Sequence, residues 1–219
     1  MSAKEDTVSD AKVTKLPGPP EKLPISFQLG DTLIDGVIIK PMTFSAFVEA
    51  ISAAQIMTQP KTFEARLRRL RLLRQVTYYA GNIQVAVRQE DLLKLPIPAV
   101  HAITAHLDVG EGTPGKIVRD GDGIEKAIVY ELGTPISGGQ GRPPIKELEF
   151  QASTYGDIED VLSVDTAIQQ TYAMILTIAK PLGTTLSLLP SWAANSITVA
   201  DGVMLSRDVL PRFLESPDE

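Results

Sequence analysis

Along this chain the hydrophobic positions switch between a period of two and a period of three to four. Ile25–Leu29 and Ala127–Leu132 alternate inward and outward residues, as half-buried strands do. A second strand is expected after each, at Gly36–Lys40 and Ile145–Ala152. The connection is a tight turn at Gly30-Asp31 in the first case and a long loop in the second. Thr43 and Thr154 then stand before aromatic residues, with acidic residues a few places on, so each threonine can cap a helix. Those helices are expected over Ser45–Met57 and Gly156–Val164. The next pair carries Leu67, Leu70, Leu73 and Val76 in one half, and Tyr172, Ile175 and Ile178 in the other. Spacings of three keep these residues on one helix face. Further helices are expected near Pro96 and Pro190, because proline is tolerated in a first turn. Val203–Leu214 closes the chain as a helix ending at Pro217.

These elements occur twice in the same order. The succession apolar, small, aromatic, polar, Leu, Gly at Ile25–Gly30 recurs at Ile128–Gly133. Ile39–Phe44 recurs at Phe150–Tyr155, Phe47 and Ile51 match Ile158 and Leu162, and Leu95-Pro96 recurs at Leu189-Pro190. The Gly-rich stretch Ser137–Pro144 accounts for the extra length of the second copy. The fold class expected is α+β: two diverged repeats, each a β-hairpin followed by about three helices. Repeat 1 spans 24–110. Repeat 2 spans 111–219 and adds a hairpin across Asp120-Gly-Asp-Gly123. Residues 1–23 contain Pro17, Pro19 and Pro20 and no aromatic side chain. They read as an extended or disordered arm, or one that orders on a neighbouring subunit.

Composition narrows the function. The 219 residues carry 21 Lys+Arg against 27 Asp+Glu, a net charge of −6, so nothing global draws the chain to nucleic acid or an anionic membrane. The absence of cysteine excludes disulfides, thiolate metal sites and a cysteine nucleophile. No apolar run is long enough to span a membrane, and Met1–Asp6 is charged rather than signal-like. A soluble protein of a reducing compartment is expected.

The candidate chemistry is thin. Asp120-Gly-Asp-Gly123 lacks the remaining oxygen ligands and the closing glutamate of a calcium loop. Gly138-Gly-Gln-Gly141 is followed by prolines, not by the Lys-Ser/Thr of a phosphate loop. His101 and His106 lie on different sides of a helix, too far round to share a metal. No Gly-x-Ser-x-Gly elbow is present, and Glu159 and Asp160 read as solvated helix charges. No catalytic residue, cofactor or metal is predicted. The strongest charge feature is Arg66, Arg68, Arg69, Arg71 and Arg74, interleaved with leucines on one helix. The bland reading is a leucine stripe with snorkelling arginines. The functional readings are a docking surface for an acidic protein and, behind it, nucleic-acid contact. The second copy has Gln170, Thr171 and Ala173 in place of Arg68, Arg69 and Arg71, which favours a partner-specific role.

Leu33–Phe44, with its Gly36, strand, Lys40-Pro41, Thr43 and following helix, resembles the tail assembly chaperones of long-tailed bacteriophages. The resemblance covers residues 24–105 and recurs faintly over 128–214. It implies a non-enzymatic phage tail protein that binds other tail proteins, the tape measure or the tube, in the host cytoplasm during assembly. The mechanism implied is masking: apolar stripes of a helical partner are held soluble until tube subunits replace the chaperone. The alternative is a structural baseplate or tail component of the mature virion. A third reading, ranked behind both, is a small hydrolase or nucleic-acid-binding module. No membrane and no small-molecule substrate are expected, and self-association is open.

Overall fold

The computed structural model describes residues 22–57, 62–107, 112–121, 127–139, 141–151 and 154–214. Residues 1–21 of the expected arm, the centre of the Asp-Gly-Asp-Gly turn and the chain around Pro217 lie outside them. The turn at Gly30-Asp31 forms, with Gly30 at φ 59°. A two-residue loop places Thr32 opposite Leu29, so β1 (Phe27–Leu29) pairs with β2 (Thr32–Ile34) and buries Phe27 across from Ile34. The expected pairing of Ile25–Leu29 with Gly36–Lys40 is therefore replaced. β3 (Gly36–Ile39) pairs instead with β4 (Val76–Ala80), and β4 with β5 (Ile83–Val85). Between β3 and β4 lie α1 (Phe44–Ile56) and α2 (Phe63–Gln75), capped by Thr43 and Thr62. Val76 thus belongs to a strand and not to the helix its spacing predicts; the run Val76-Thr-Tyr-Tyr79 is β-branched and aromatic, and β3 supplies its partner. A 3₁₀ turn at Asp91–Lys94 and α3 (Ile97–Leu107) complete this half.

The second half is built on a four-stranded antiparallel sheet, ordered β6 (Lys116–Asp120), β7 (Ile128–Ile136), β8 (Ile145–Phe150), β9 (Ala179–Pro181). Between β8 and β9 run α4 (Tyr155–Leu162) and α5 (Ala167–Thr177), capped by Thr154 and Thr166. Ile178 closes α5 instead of continuing it, and the chain returns to the sheet at Ala179. The helix near Pro190 is a single turn, α6 (Ser191–Ala194). The closing helix starts earlier than expected, as α7 (Val199–Met204), passes through a π turn at Leu205–Val209 and ends as α8 (Leu210–Leu214). The fold is α+β. Strand, helix, helix, strand, with the two strands paired antiparallel, occurs in both halves.

One core gathers Phe27, Ile34, Val37, Leu72, Tyr78 and Ile103 of the first half. The other gathers Tyr130, Leu148, Phe150, Met174, Ile175 and Ile197 of the second, and it also takes Phe44 and Val48 from α1. Phe44 is fully buried, edge-on to Tyr172 at 6.3 Å between ring centres, and its N–H donates to the Ile197 carbonyl at 2.8 Å. Burial of such a ring contributes roughly 1.5–3 kcal/mol. The opposite face of α1 packs Ala50 and Ala54 on Leu70 of α2. α1 is therefore a shared wall that fixes α2 relative to the second half.

Candidate functional site

α2 presents its leucines in two directions. Leu67 and Leu70 face α1, while Leu72 enters the first core, so the five arginines take the remaining positions. The structure divides them. Arg66 donates to the carbonyl oxygens of Ala54 and Gln55, at 3.2 and 3.5 Å, which the end of α1 leaves without helical partners. Arg74 reaches back along α1 to the Ala46 carbonyl and Glu49, each at 3.4 Å. The Nε of Arg71 donates to Oε1 of Gln75 at 2.9 Å and so orients a buried amide whose Nε2 has no partner among the described residues. These three arginines are tied into the fold. Arg68 and Arg69 make no hydrogen bond or ion pair among the described residues. Arg68 is exposed. Arg69 lines a hollow of about 440 Å³ together with Arg88, Gln89, Glu90 and Leu93. Arg88 is paired only loosely, 3.9 Å from Glu90, so the hollow carries two guanidinium groups against one carboxylate.

The strand that leads into this hollow is β5, at the outer edge of its sheet. Its Ile83 is 73% exposed, and Leu93 in the hollow and Ile97 beyond it are also exposed. The hairpin before β5 is anchored. Asp35 accepts from Lys22 Nζ and from the Gly81 N–H, both at 3.0 Å, and Lys22 donates in turn to the Gly81 carbonyl. The Lys22 ammonium and these hydrogen bonds hold the Asp35 carboxyl below its ordinary value.

The other sequence candidates are not drawn together. His101 and His106 are both exposed on α3, and Glu159 is exposed on α4. Among the described residues no three His, Asp or Glu side chains are grouped to hold a metal ion. The chemistry that sequence reasoning missed is at Asp201, fully buried at the start of α7. Its Oδ1 accepts from Gly115 N–H at 2.8 Å, Gly133 N–H at 2.9 Å and the Tyr130 hydroxyl at 3.1 Å, and its Oδ2 from Thr198 at 2.9 Å. Burial, and then the charge of Asp201, push the Tyr130 hydroxyl well above the phenol range, so it remains a donor. This carboxylate ties three distant chain segments together, with three donors on Oδ1 and one on Oδ2, which suits a structural role. A separate cleft of about 490 Å³ lies between the Gly-rich loop and Trp192, with Arg142 and Thr184 in its lining. No described helix is long and apolar enough to cross a membrane. Compared with protein-family models, curated proteins and solved structures, the chain matches none of the three.

Proposed function

We propose that this protein is a non-enzymatic bacteriophage tail protein that acts in assembly by binding other tail proteins, the tape measure or the tube, through the outer face of α2. One observation carries the reading: the layout of residues 36–56. Gly36 opens β3, Lys40-Pro41 follows its last residue, Thr43 caps, and α1 runs from Phe44. That is the order in which the sequence resembles the tail assembly chaperones. The matching order of β8, Thr154 and α4 supports a diverged duplication of a strand-and-helix unit. Arg68 and Arg69 support a binding role, since neither is engaged by the described residues and the second half has no counterpart to them. The protein then works in the host cytoplasm, masking apolar stripes of its partner until tube subunits displace it. The outer edge of β5, unpaired among the described residues, also favours a second reading, a built-in baseplate or tail component that joins its neighbours through sheet edges.

Coexpression with the tape-measure protein of the same phage tests the first reading. Soluble tape measure should rise when the chain is present and fall back when Arg68 and Arg69 are both changed to Gln. Tape-measure solubility that ignores the chain refutes it. Mass spectrometry of purified virions separates the two readings, because an assembly chaperone is absent from the finished particle.

A further inference from the structure

The geometry points to β5 as a strand-addition site: an acidic, extended segment of a partner protein pairs with its outer edge, which no described residue covers, and lays its carboxylates against Arg69 and Arg88. The inference rests on the reading of this surface as a partner-binding face and names what occupies it.

Sheet edges are normally protected against pairing with other chains. Among the described residues, every outer strand of the two larger sheets but β5 is guarded by a charge, a proline, a register slip or a covering segment, and β5 has only its shortness. β3 is covered by Leu23, whose N–H and carbonyl both bond Val37, at 2.8 and 3.0 Å. β6 carries Lys116, Arg119 and Asp120, its register slips between Ile117 and Arg119, and Arg212 pairs with Asp120. β9 contains Lys180 and ends in Pro181. β5 is Ile83-Gln84-Val85, with no charge, no proline and no irregular register.

The register shows what the edge offers. A two-residue loop, Gly81-Asn82, joins Ala80 to Ile83. Such a loop closes on a hydrogen-bonded pair, so Ile83 and Val85 spend their amide groups on β4, and Gln84 between them directs its N–H and carbonyl outward. Ile83 lies opposite Ala80 and shares its sheet face with Tyr78 and Val85, the face that enters the first core. It is nevertheless 73% exposed. An inward-parity isoleucine left uncovered is completed by an apolar residue on an added strand. The lock of Lys22 and Asp35 on Gly81 holds the edge in place before binding, which lowers the ordering cost. Charge selects the occupant. Past Val85 the chain enters the hollow where Arg69 and Arg88 outnumber Glu90. A partner strand continuing along the edge arrives there, and carboxylates on it meet guanidinium groups.

The probe is a short synthetic peptide of alternating valine and threonine flanked by glutamates at both ends, read by fluorescence anisotropy. Gln84→Pro removes the outward amide donor while sparing the bonds to β4, and edge strands tolerate proline at such positions. Ile83→Lys installs the kind of guard that β6 carries. Each should weaken the peptide by about tenfold or more, a loss of ~1.4 kcal/mol. Arg69→Glu should do the same, and so should exchanging the glutamates of the peptide for lysines. Amide exchange at Gln84 should slow on binding. Wild-type affinity in Gln84→Pro together with unchanged exchange at Gln84 overturns strand addition. Protection of Gln84 that grows with protein concentration in the absence of peptide overturns it in favour of a second copy on the edge. The same variants separate this inference from the functional reading. If the tape measure is lost on Arg68→Gln with Arg69→Gln but kept by Gln84→Pro, only strand addition falls. If it is kept by all of them, the partner-binding face itself is wrong.

Discussion

Replacing Asp201 removes one side chain and should loosen three places at once. In Asp201→Ala the amides of Gly115 and Gly133 and the hydroxyl of Tyr130 lose their common acceptor. A buried donor left without a partner costs about 1–3 kcal/mol. Tyr130 is fully buried and meets that cost in full, whereas the two glycine amides are part-buried and water can reach them. The expected loss is therefore ~3–5 kcal/mol, a large share of the ~5–15 kcal/mol by which a domain is stable. A Cβ at Gly115 or Gly133 would meet the Glu131 or Thr113 carbonyl, so β7 and the segment leading into β6 are closely packed beside this site.

Asp201→Asn keeps the shape and the acceptor oxygen but makes the bonds neutral, at roughly half the strength of charge-assisted ones. It should cost ~1–2 kcal/mol. Tyr130→Phe deletes one donor and should cost ~1 kcal/mol. Because Tyr130 and Asp201 touch, the double variant should lose less than the sum of the singles. Urea denaturation of the four proteins measures this, with equal slopes required for the comparison. Amide exchange adds the local signature: Gly115 and Gly133 should exchange faster in Asp201→Ala. A loss in Asp201→Ala within ~0.5 kcal/mol of wild type, or unchanged exchange at both glycines, refutes the keystone role.

Three more outcomes follow from the geometry. The Asp35 carboxyl is held below its ordinary 3.8, so its contribution is present above that pH and is lost as pH falls through the lower folded value; Asp35→Asn should flatten the stability slope in that acid window, read by pH-dependent unfolding, and an unchanged slope counts against the lock on Gly81. Gly202→Ala gains ~1 kcal/mol of helix propensity but drives a methyl into the Phe44 ring, a crowding that costs ~1–3 kcal/mol; a net loss that is relieved by Phe44→Leu is expected in melting curves, and a net gain contradicts the packing. Among the arginines, Arg66→Gln and Arg74→Gln should each lower stability by ~1 kcal/mol after solvent screening, while Arg68→Gln and Arg69→Gln should stay within ~0.5 kcal/mol.

What was legible in the sequence was local. Thr43 and Thr154 mark helix starts because a cap is decided by the threonine and the next three residues. Gly30-Asp31 marks a turn for the same reason. The pairing of the strands was not local. Val76 continues the spacing of Leu67, Leu70 and Leu73, so periodicity alone extends the helix through it. Only β3, far back in the chain, makes Val76–Ala80 a strand. Ile178 hides the chain's return to the sheet at β9 in the same way. Misplacing those strands also misplaces the site. With α2 running on through Val76, the hairpin of β4 and β5 has no base, and the sequence reading assigns no strand to Ile83-Gln84-Val85.

The arginines show the limit most directly. Five in nine residues look like one feature, yet Arg66 and Arg74 are distinguished from Arg68 and Arg69 only by where α1 lies. A helix wheel places all five on a surface, and tertiary structure decides which part of that surface is already occupied. Asp201 is the reverse case. As a single aspartate at the third position of a helix it reads as a dipole partner near the N-terminus. Its three donors to Oδ1 come from residues 68 or more positions away, so no window of sequence contains the site. Buried polar networks are non-local by construction, because each donor must be left unpaired by its own strand or loop before a distant acceptor can take it. The same logic makes β5 readable once the sheets are known: its edge is identified by the guards that β3, β6 and β9 possess and that it lacks.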